Sequence, residues 1–199
     1  MRVLVGCEES GKVRDAFIKR GHDAWSCDLV KSRSPGPHLQ MDIIRAIRDL
    51  GPWDIIILFP DCTAMTLSGN RTYAKGKKKY RERLKAIRWT GRLWFVARTS
   101  ARIGCALENP TSVLWKANGW KPQYIQPYEF GHGETKKTGI LVDRLPALEA
   151  TNHVAGRKQR VWKMGPSPTR KRDRSETYDG IASAMGEQWG RVGYGGQNV

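Results

Sequence analysis

"IIILFPDCTAMTLSGNRTYAKGKKKYRER" (Ile55–Arg83) runs from five bulky apolar residues straight into Pro60-Asp61-Cys62, and then into a comb of lysines and arginines. With Trp53 and Asp54 ahead of it, "WDIIILF" reads as a central buried strand, and Pro60 stops it. The strand therefore ends beside a cysteine and opens into a cationic loop. Both sides of this stretch alternate in the same way. Upstream, "RVLVGC" reads as a strand, "GKVRDAFIKRG" as a helix closed by Gly21, and "DAWSCDL" as a second strand ending on Asp28. "LVKSRSPGPH" is a loop, "LQMD" a short strand ending on Asp42, and "IIRAIRDLG" a helix that stops at Gly51.

Downstream, "YRERLKAIRWTGRLWFVARTSARIG" carries Leu84, Ile87, Leu93, Val96 and Ile103 at helical spacing, with Gly91 placed to kink or split it. "CALENP" is a further strand and "TSVLWKANG" a helix that Thr111 can cap. "QYIQPYEFG" and "KTGILVDRLP" read as the last strands. Residues 149–177 are polar and basic without a clear period. "YDGIASAMGEQWGRVG" closes the chain with a helix, and the Gly-rich tail is expected to fray. There is no internal repeat. Alternating strands and helices predict an α/β fold, an open and mostly parallel sheet with helices on both faces. At 199 residues one domain, 1–199, is expected.

Composition narrows the partners. A 39% apolar content suits a globular chain, and no run approaches the roughly 18 apolar residues of a membrane span. "MRVLVGCEES" lacks the apolar core of a signal peptide, so a soluble, cytoplasmic protein is expected. No coiled coil or exposed apolar helix stands out, which favours a monomer. The four cysteines (Cys7, Cys27, Cys62, Cys105) form no CxxC pair, so neither a zinc site nor any other metal is expected. The net charge is +16, and 18 of the 35 basic residues lie in two segments. One runs from Arg71 through Lys75, Lys77, Lys78, Lys79 and Arg81 to Arg92; the other holds Arg157, Lys158, Arg160, Lys163, Arg170, Lys171, Arg172 and Arg174. A polyanion is the first candidate partner, a solvated basic surface the alternative.

In open α/β sheets ligands sit beyond the carboxyl ends of the strands. Cys7-Glu8-Glu9-Ser10-Gly11, Asp28, Asp42, Pro60-Asp61-Cys62 and Glu108-Asn109-Pro110 all fall there. Ser10 and Gly11 allow close backbone approach, although the turn lacks a GxGxxG pattern. Asp28 suits the two hydroxyls of a ribose and Asp42 an adenine amino group; either acid can equally cap a helix. A thiolate at Cys62, its pKa lowered by the cationic loop, together with a protonated Glu108 can activate a pyrimidine. The thiolate adds at ring carbon 6 while the acid holds ring nitrogen 3, and carbon 5 becomes nucleophilic. Taken singly, Cys62 is also readable as a buried thiol and Glu108 as a cap or ion-pair partner.

With these motifs in order, the chain resembles the DNA cytosine-5 methyltransferases, most closely short phage-type members. "FPDCTAMTLSG" is similar to the family's Pro-Cys nucleophile segment and "CALENP" to its Glu-Asn motif. "GHGETKKTGILV" resembles the segment that carries a Gln and two arginines, with Glu134, Lys136 and Thr138 on those positions. "TYDGIASAMGEQWG" resembles the closing helix that folds against the cofactor site. The resemblance implies a Rossmann-like class I S-adenosylmethionine-dependent methyltransferase fold. It implies Cys62, Glu108 and Lys136 as catalytic residues, and Cys7, Glu8, Ser10, Gly11, Asp28, Asp42, Pro60 and Ala184 around S-adenosylmethionine. DNA is the implied substrate, gripped by the two basic segments, and a bacterial host cell the setting if the chain is phage-encoded. Asp61 stands where the family has a second proline, and its charge would tend to raise the thiol pKa. A basic insert at 145–177 stands in place of a large recognition domain, which predicts short or relaxed sequence preference. Trp162, within that insert, is expected to pack the loop. A nucleic-acid-binding module of the same fold, and the same chemistry on RNA or single-stranded DNA, are the competing expectations.

Overall fold

A computed structural model describes residues 1–192; the Gly-rich tail expected to fray and the side chain of Lys171 lie outside the described residues. The chain-order elements are β1 (Arg2–Gly6), α1 (Lys12–Ile18), β2 (Asp23–Asp28), β3 (His38–Gln40), α2 (Ile43–Asp49), β4 (Trp53–Leu58), α3 (Asn70–Tyr73), α4 (Tyr80–Ser100), β5 (Ala101–Pro110) and α5 (Val113–Ala117). β6 (Gln123–Ile125), β7 (Thr138–Asp143), α6 (Arg160–Lys163), α7 (Arg170–Ser175) and α8 (Asp179–Gln188) follow.

Seven strands form one sheet in the order β3-β2-β1-β4-β5-β7-β6. β1 to β5 pair in parallel, and β7 runs antiparallel to both of its neighbours. The expected mostly parallel sheet is present, with one reversed strand. Alternation along the strands explains the two cores. Val3, Val5, Ile55 and Ile57 pack with Val13 and Phe17 of α1 and Ile181 and Met185 of α8 on one face. Leu4, Ile56 and Leu58 pack with Ile44, Ile47, Leu93, Trp94, Leu114 and Trp115 of α2, α4 and α5 on the other. Ile55, Ile56, Ile57 and Leu58 are fully buried, which is why that run shows no polar alternation.

Several local expectations are corrected. Gly91 does not split α4, which is continuous for 21 residues. Ser112, not Thr111, caps α5: its hydroxyl accepts the Leu114 N–H at 3.2 Å. The strand before Asp42 ends at Gln40, and "QYIQPYEFG" contributes only Gln123–Ile125 before a 3-10 turn at Pro127–Glu129. The period-free basic segment contains two short helices, α6 and α7.

Candidate active site

The sheet order reverses between β1 and β4, the point beyond whose carboxyl ends ligands of open α/β sheets sit, and Cys7–Gly11 and Pro60–Cys62 emerge there. Cys7 takes a left-handed backbone conformation (φ 58°) that turns the chain off β1. Glu8 is buried, and one carboxylate oxygen accepts the Ser10 hydroxyl at 2.5 Å and the Val13 N–H at 3.4 Å. Its other oxygen is buried with no hydrogen-bond partner among the described residues. Burial pushes this carboxyl above its ordinary range, while the Ser10 and Val13 donors oppose the shift.

Gly11 behaves differently from expectation. Its φ of 78° needs glycine, but the space a Cβ would fill is taken by the Arg14 guanidinium and the Ser34 hydroxyl, not left open to a ligand. Arg14 is fully buried and donates to Ser26 Oγ (3.1 Å), Ser34 Oγ (2.5 Å) and Pro35 O (2.8 Å), which ties the loop after β2 to α1. Asp28, half-buried at the end of β2, accepts the Val30 N–H at 3.2 Å. Asp42 is the N-cap of α2, accepting the Arg45 N–H at 3.0 Å, so its place is explained by helix capping without a ligand. Ala184 is buried in the core of α8; Ile181 and Met185 of that helix, rather than Ala184, reach the site.

The nucleophile segment is held from below. Pro60 is buried, and its carbonyl accepts Asn109 Nδ2 at 3.4 Å, which joins the ends of β4 and β5. The Cys62 carbonyl accepts the Met65 and Thr66 N–H groups at 2.8 and 2.9 Å, a tight turn anchored by the fully buried Met65. Asp61 accepts the Thr63 N–H (2.9 Å) and hydroxyl (2.5 Å) on one oxygen. Arg83 then closes the loop: buried within α4, it donates to Ala64 O (2.6 Å), Thr66 O (3.1 Å) and Asn70 Oδ1 (2.8 Å). Arg83→Met is expected to cost about 2–4 kcal/mol in urea unfolding, because three acceptors lose a charged donor together. Urea midpoints with unchanged slope would check this; a loss below about 0.5 kcal/mol would refute the staple.

Glu108 sits on β5 opposite Ile140 of β7 and lines a small cavity with Phe59, Lys136, Thr138, Tyr178 and Met185. The cavity has about 10 Å³, room for roughly one water. Burial raises the Glu108 carboxyl above its ordinary range, and the Lys136 ammonium partly opposes that. The half-buried Cys62 thiol is pushed up to about 11, first by burial and then by the carboxylates of Glu108 and Asp61, with Lys136 pulling the other way. The expectation that the cationic loop lowers the thiol is corrected: burial and two carboxylates raise it, and the opposing cation, Lys136, comes from the segment before β7. Lys136 Nζ donates to Glu176 O at 3.2 Å and lies 5.9 Å from the centre of the Tyr178 ring. The Tyr178 hydroxyl donates to Glu134 at 2.7 Å, and Arg160 pairs with the same carboxylate at 2.9 Å.

Arg71, Lys75, Lys77, Lys78, Lys79 and Arg81 are all exposed on the loop and the first turn of α4. Lys79 is 3.4 Å from Glu82. The second basic segment is less available than expected. Arg160 is paired with Glu134, Arg172 lies 3.3 Å from Asp173, and Arg157 stacks 3.6 Å over the Tyr128 ring. Lys158 is exposed, Arg170 half-buried. Trp162 does not pack the loop: it is 72% exposed, and Val161 is the anchor instead. Sequence reasoning missed Arg83 and Tyr178. Arg83 shares a helix face with Ile87, Thr90 and Trp94 at i+4, i+7 and i+11, a spacing that marks the inward side.

No protein-family model matches the chain, and neither does any curated protein. Solved structures do match. The methyltransferase EhMeth of Entamoeba histolytica aligns with a TM-score of 0.50 and 12% identity, over 84% of this chain and 60% of that one. The seven-stranded α/β fold matches that methyltransferase structure. An E. coli prophage protein described as a DNA modification methyltransferase aligns with a TM-score of 0.42 and 12% identity, over 71% of this chain and 46% of that one. The chain thus spans about half of one of these structures and 60% of the other.

Proposed function

We propose that the protein transfers a methyl group from S-adenosylmethionine to carbon 5 of cytosine in DNA. The observation that carries this reading is the convergence of Cys62, Glu108 and Lys136, from three separate segments, within electrostatic reach of one another at one edge of a methyltransferase fold. Cys62 gives its thiolate to ring carbon 6. Glu108, whose carboxyl burial raises, donates its proton to ring nitrogen 3, so the electron pair moves to carbon 5 rather than onto an unprotected ring anion. After carbon 5 is methylated, loss of its proton to a base expels the thiolate and restores the ring. Lys136, in place of an arginine of the resembling family, offsets carboxylate charge beside both groups.

The residues beyond the strand ends fit S-adenosylmethionine. The buried, partnerless oxygen of Glu8 is an acceptor suited to an amine, and Asp28 on the next strand is suited to paired hydroxyls. Bound there, the cofactor would supply an electrophilic methyl group. Cys7 and Ser10 would shape the turn around it, and Pro60 would wall it from the side of β4.

The cavity at Glu108 holds about one water, so a base enters only when the side formed by Lys136 and Tyr178 moves. The base must also leave its stack, at a cost of a few kcal/mol. The exposed loop cations would grip the flanking phosphates. With Arg157, Arg160 and Arg172 already paired with groups of the same chain, the 145–177 insert offers few groups for base edges, which favours a short or relaxed recognition sequence. Nucleoside mass spectrometry on duplex and single-stranded DNA incubated with S-adenosylmethionine tests the reading, and 5-methylcytosine is the expected product. Methylated RNA with unmodified DNA would move the substrate to RNA. No methylated nucleoside at all would sink the enzyme and favour a nucleic-acid-binding module, a reading that the two carboxylates raising the Cys62 thiol support.

A further inference from the structure

The outward face of α4 carries a feature that the site does not use. Arg81, Lys85, Arg88 and Arg92 are all exposed and follow one another at i, i+4, i+7 and i+11. At about 100° per residue they fall within roughly 60° of arc, one cation for each turn of about 5.4 Å. None of the four lies within ion-pair distance of a carboxylate among the described residues; the single acid of α4, Glu82, is paired with Lys79. Two large aromatic side chains share this side: Phe95, 65% exposed, continues the row, and Trp89, 38% exposed, flanks it.

The position of the row matters as much as its charge. α4 begins where the nucleophile loop ends, and its buried Arg83 is bonded to that loop. The row therefore starts at the Cys62 edge of the sheet and leads away from it, and Arg92 is about 16 Å from Arg81 along the axis. A helix face that repels itself and exposes two aromatic rings is a poor solvated surface. It has the chemistry of a single-strand track, in which cations follow the phosphates and aromatic rings stack on bases whatever their identity. We infer that the outer face of α4 binds single-stranded DNA leading to or from the site. This rests on the nucleic-acid part of the proposed function and deepens it. The protein would engage unpaired DNA beside the target as well as the target nucleotide.

The test uses equilibrium binding of a 30-nucleotide single-stranded DNA, its duplex and the matching single-stranded RNA across a salt series. The protein is wild type, K85Q/R88Q/R92Q, the charge-keeping K85R/R88K/R92K, or W89A/F95A. The triple Gln variant is expected to bind more weakly and to lower the slope of log K against log salt by about 2, near 0.7 for each phosphate that is no longer neutralised. The charge-keeping variant should retain the wild-type slope, which separates charge from folding. W89A/F95A should weaken binding while leaving the slope in place. An unchanged slope in the triple Gln variant overturns the inference, as does a loss confined to duplex DNA or to single-stranded RNA. Because the readout is binding, absence of methyl transfer with the track intact would count against the chemistry alone.

Discussion

Cys62→Ser is expected to lower methyl transfer by about 10⁴-fold or more, the scale seen when a nucleophile is removed from a catalytic set. The oxygen is too weakly acidic to replace the thiolate, while the side chain keeps nearly its size. The wild-type protein should also show an unusual pH profile. Burial and the carboxylates of Glu108 and Asp61 push the thiol up to about 11, so the thiolate grows about tenfold for each pH unit through neutrality. The rate of Cys62 alkylation should climb with pH past 9, where an ordinary thiol with pKa near 8.5 would have levelled off. Asp61→Asn keeps a side-chain acceptor for Thr63 and removes one of the raising charges, so thiol titration should shift down and the neutral-pH rate should rise. Iodoacetamide alkylation against pH, with Cys62→Ala as the blank, measures the same titration without DNA. The blank isolates Cys62 because Cys27 and Cys105 are buried with thiols pushed up to about 12, and burial and the Asp28 carboxylate raise the half-buried Cys7 thiol as well. A Cys62 alkylation midpoint near 8 would overturn the raised thiol, and a Ser variant of near-normal rate would remove this cysteine from the mechanism.

The sequence made the sheet legible because its periods are strong. The run Ile55–Leu58 has no polar interruption, and a strand buried on both faces is the simplest structure that tolerates it. The ends of the strands were legible for the same reason, since Asp28, Pro60 and Glu108 follow apolar runs. What the sequence hid was which partner each polar group takes. Gly11 has the form of a ligand turn, yet Arg14, three residues on and fully buried, occupies its open side. The cations beside Cys62 in sequence are turned to solvent, while the cation that opposes the raising of the thiol, Lys136, arrives from 74 positions away through the pairing of β5 with β7. Linear charge density says how many cations a segment has, and only the tertiary fold says which of them are already engaged, as Arg157 and Arg160 are. Trp162 inverts the usual rule, because its small neighbour Val161 supplies the burial.

Glu108→Gln is expected to separate activity from stability in opposite directions. Gln keeps the shape and a donor at the same place, but it has no proton to give, and general-acid assistance is worth about 10² to 10⁴ in rate. Stability should move the other way. Burial holds the Glu108 carboxyl above its unfolded value, so the folded protein keeps the proton that the unfolded chain releases. The stabilisation linked to that proton is complete below the unfolded pKa and is lost as pH rises through the higher folded pKa. Gln carries no such dependence. The Tm difference between variant and wild type should be near zero at pH 4 and grow in favour of the variant as pH rises. Lys136 loses a charge partner in the variant but keeps the Glu176 carbonyl, so the ammonium is not stranded. Thermal melts from pH 4 to 9 beside single-turnover methylation would show both effects. A variant that is less stable at high pH would mean that Glu108 is ionised and satisfied in the fold, and the proton required at ring nitrogen 3 would then have to come from another group.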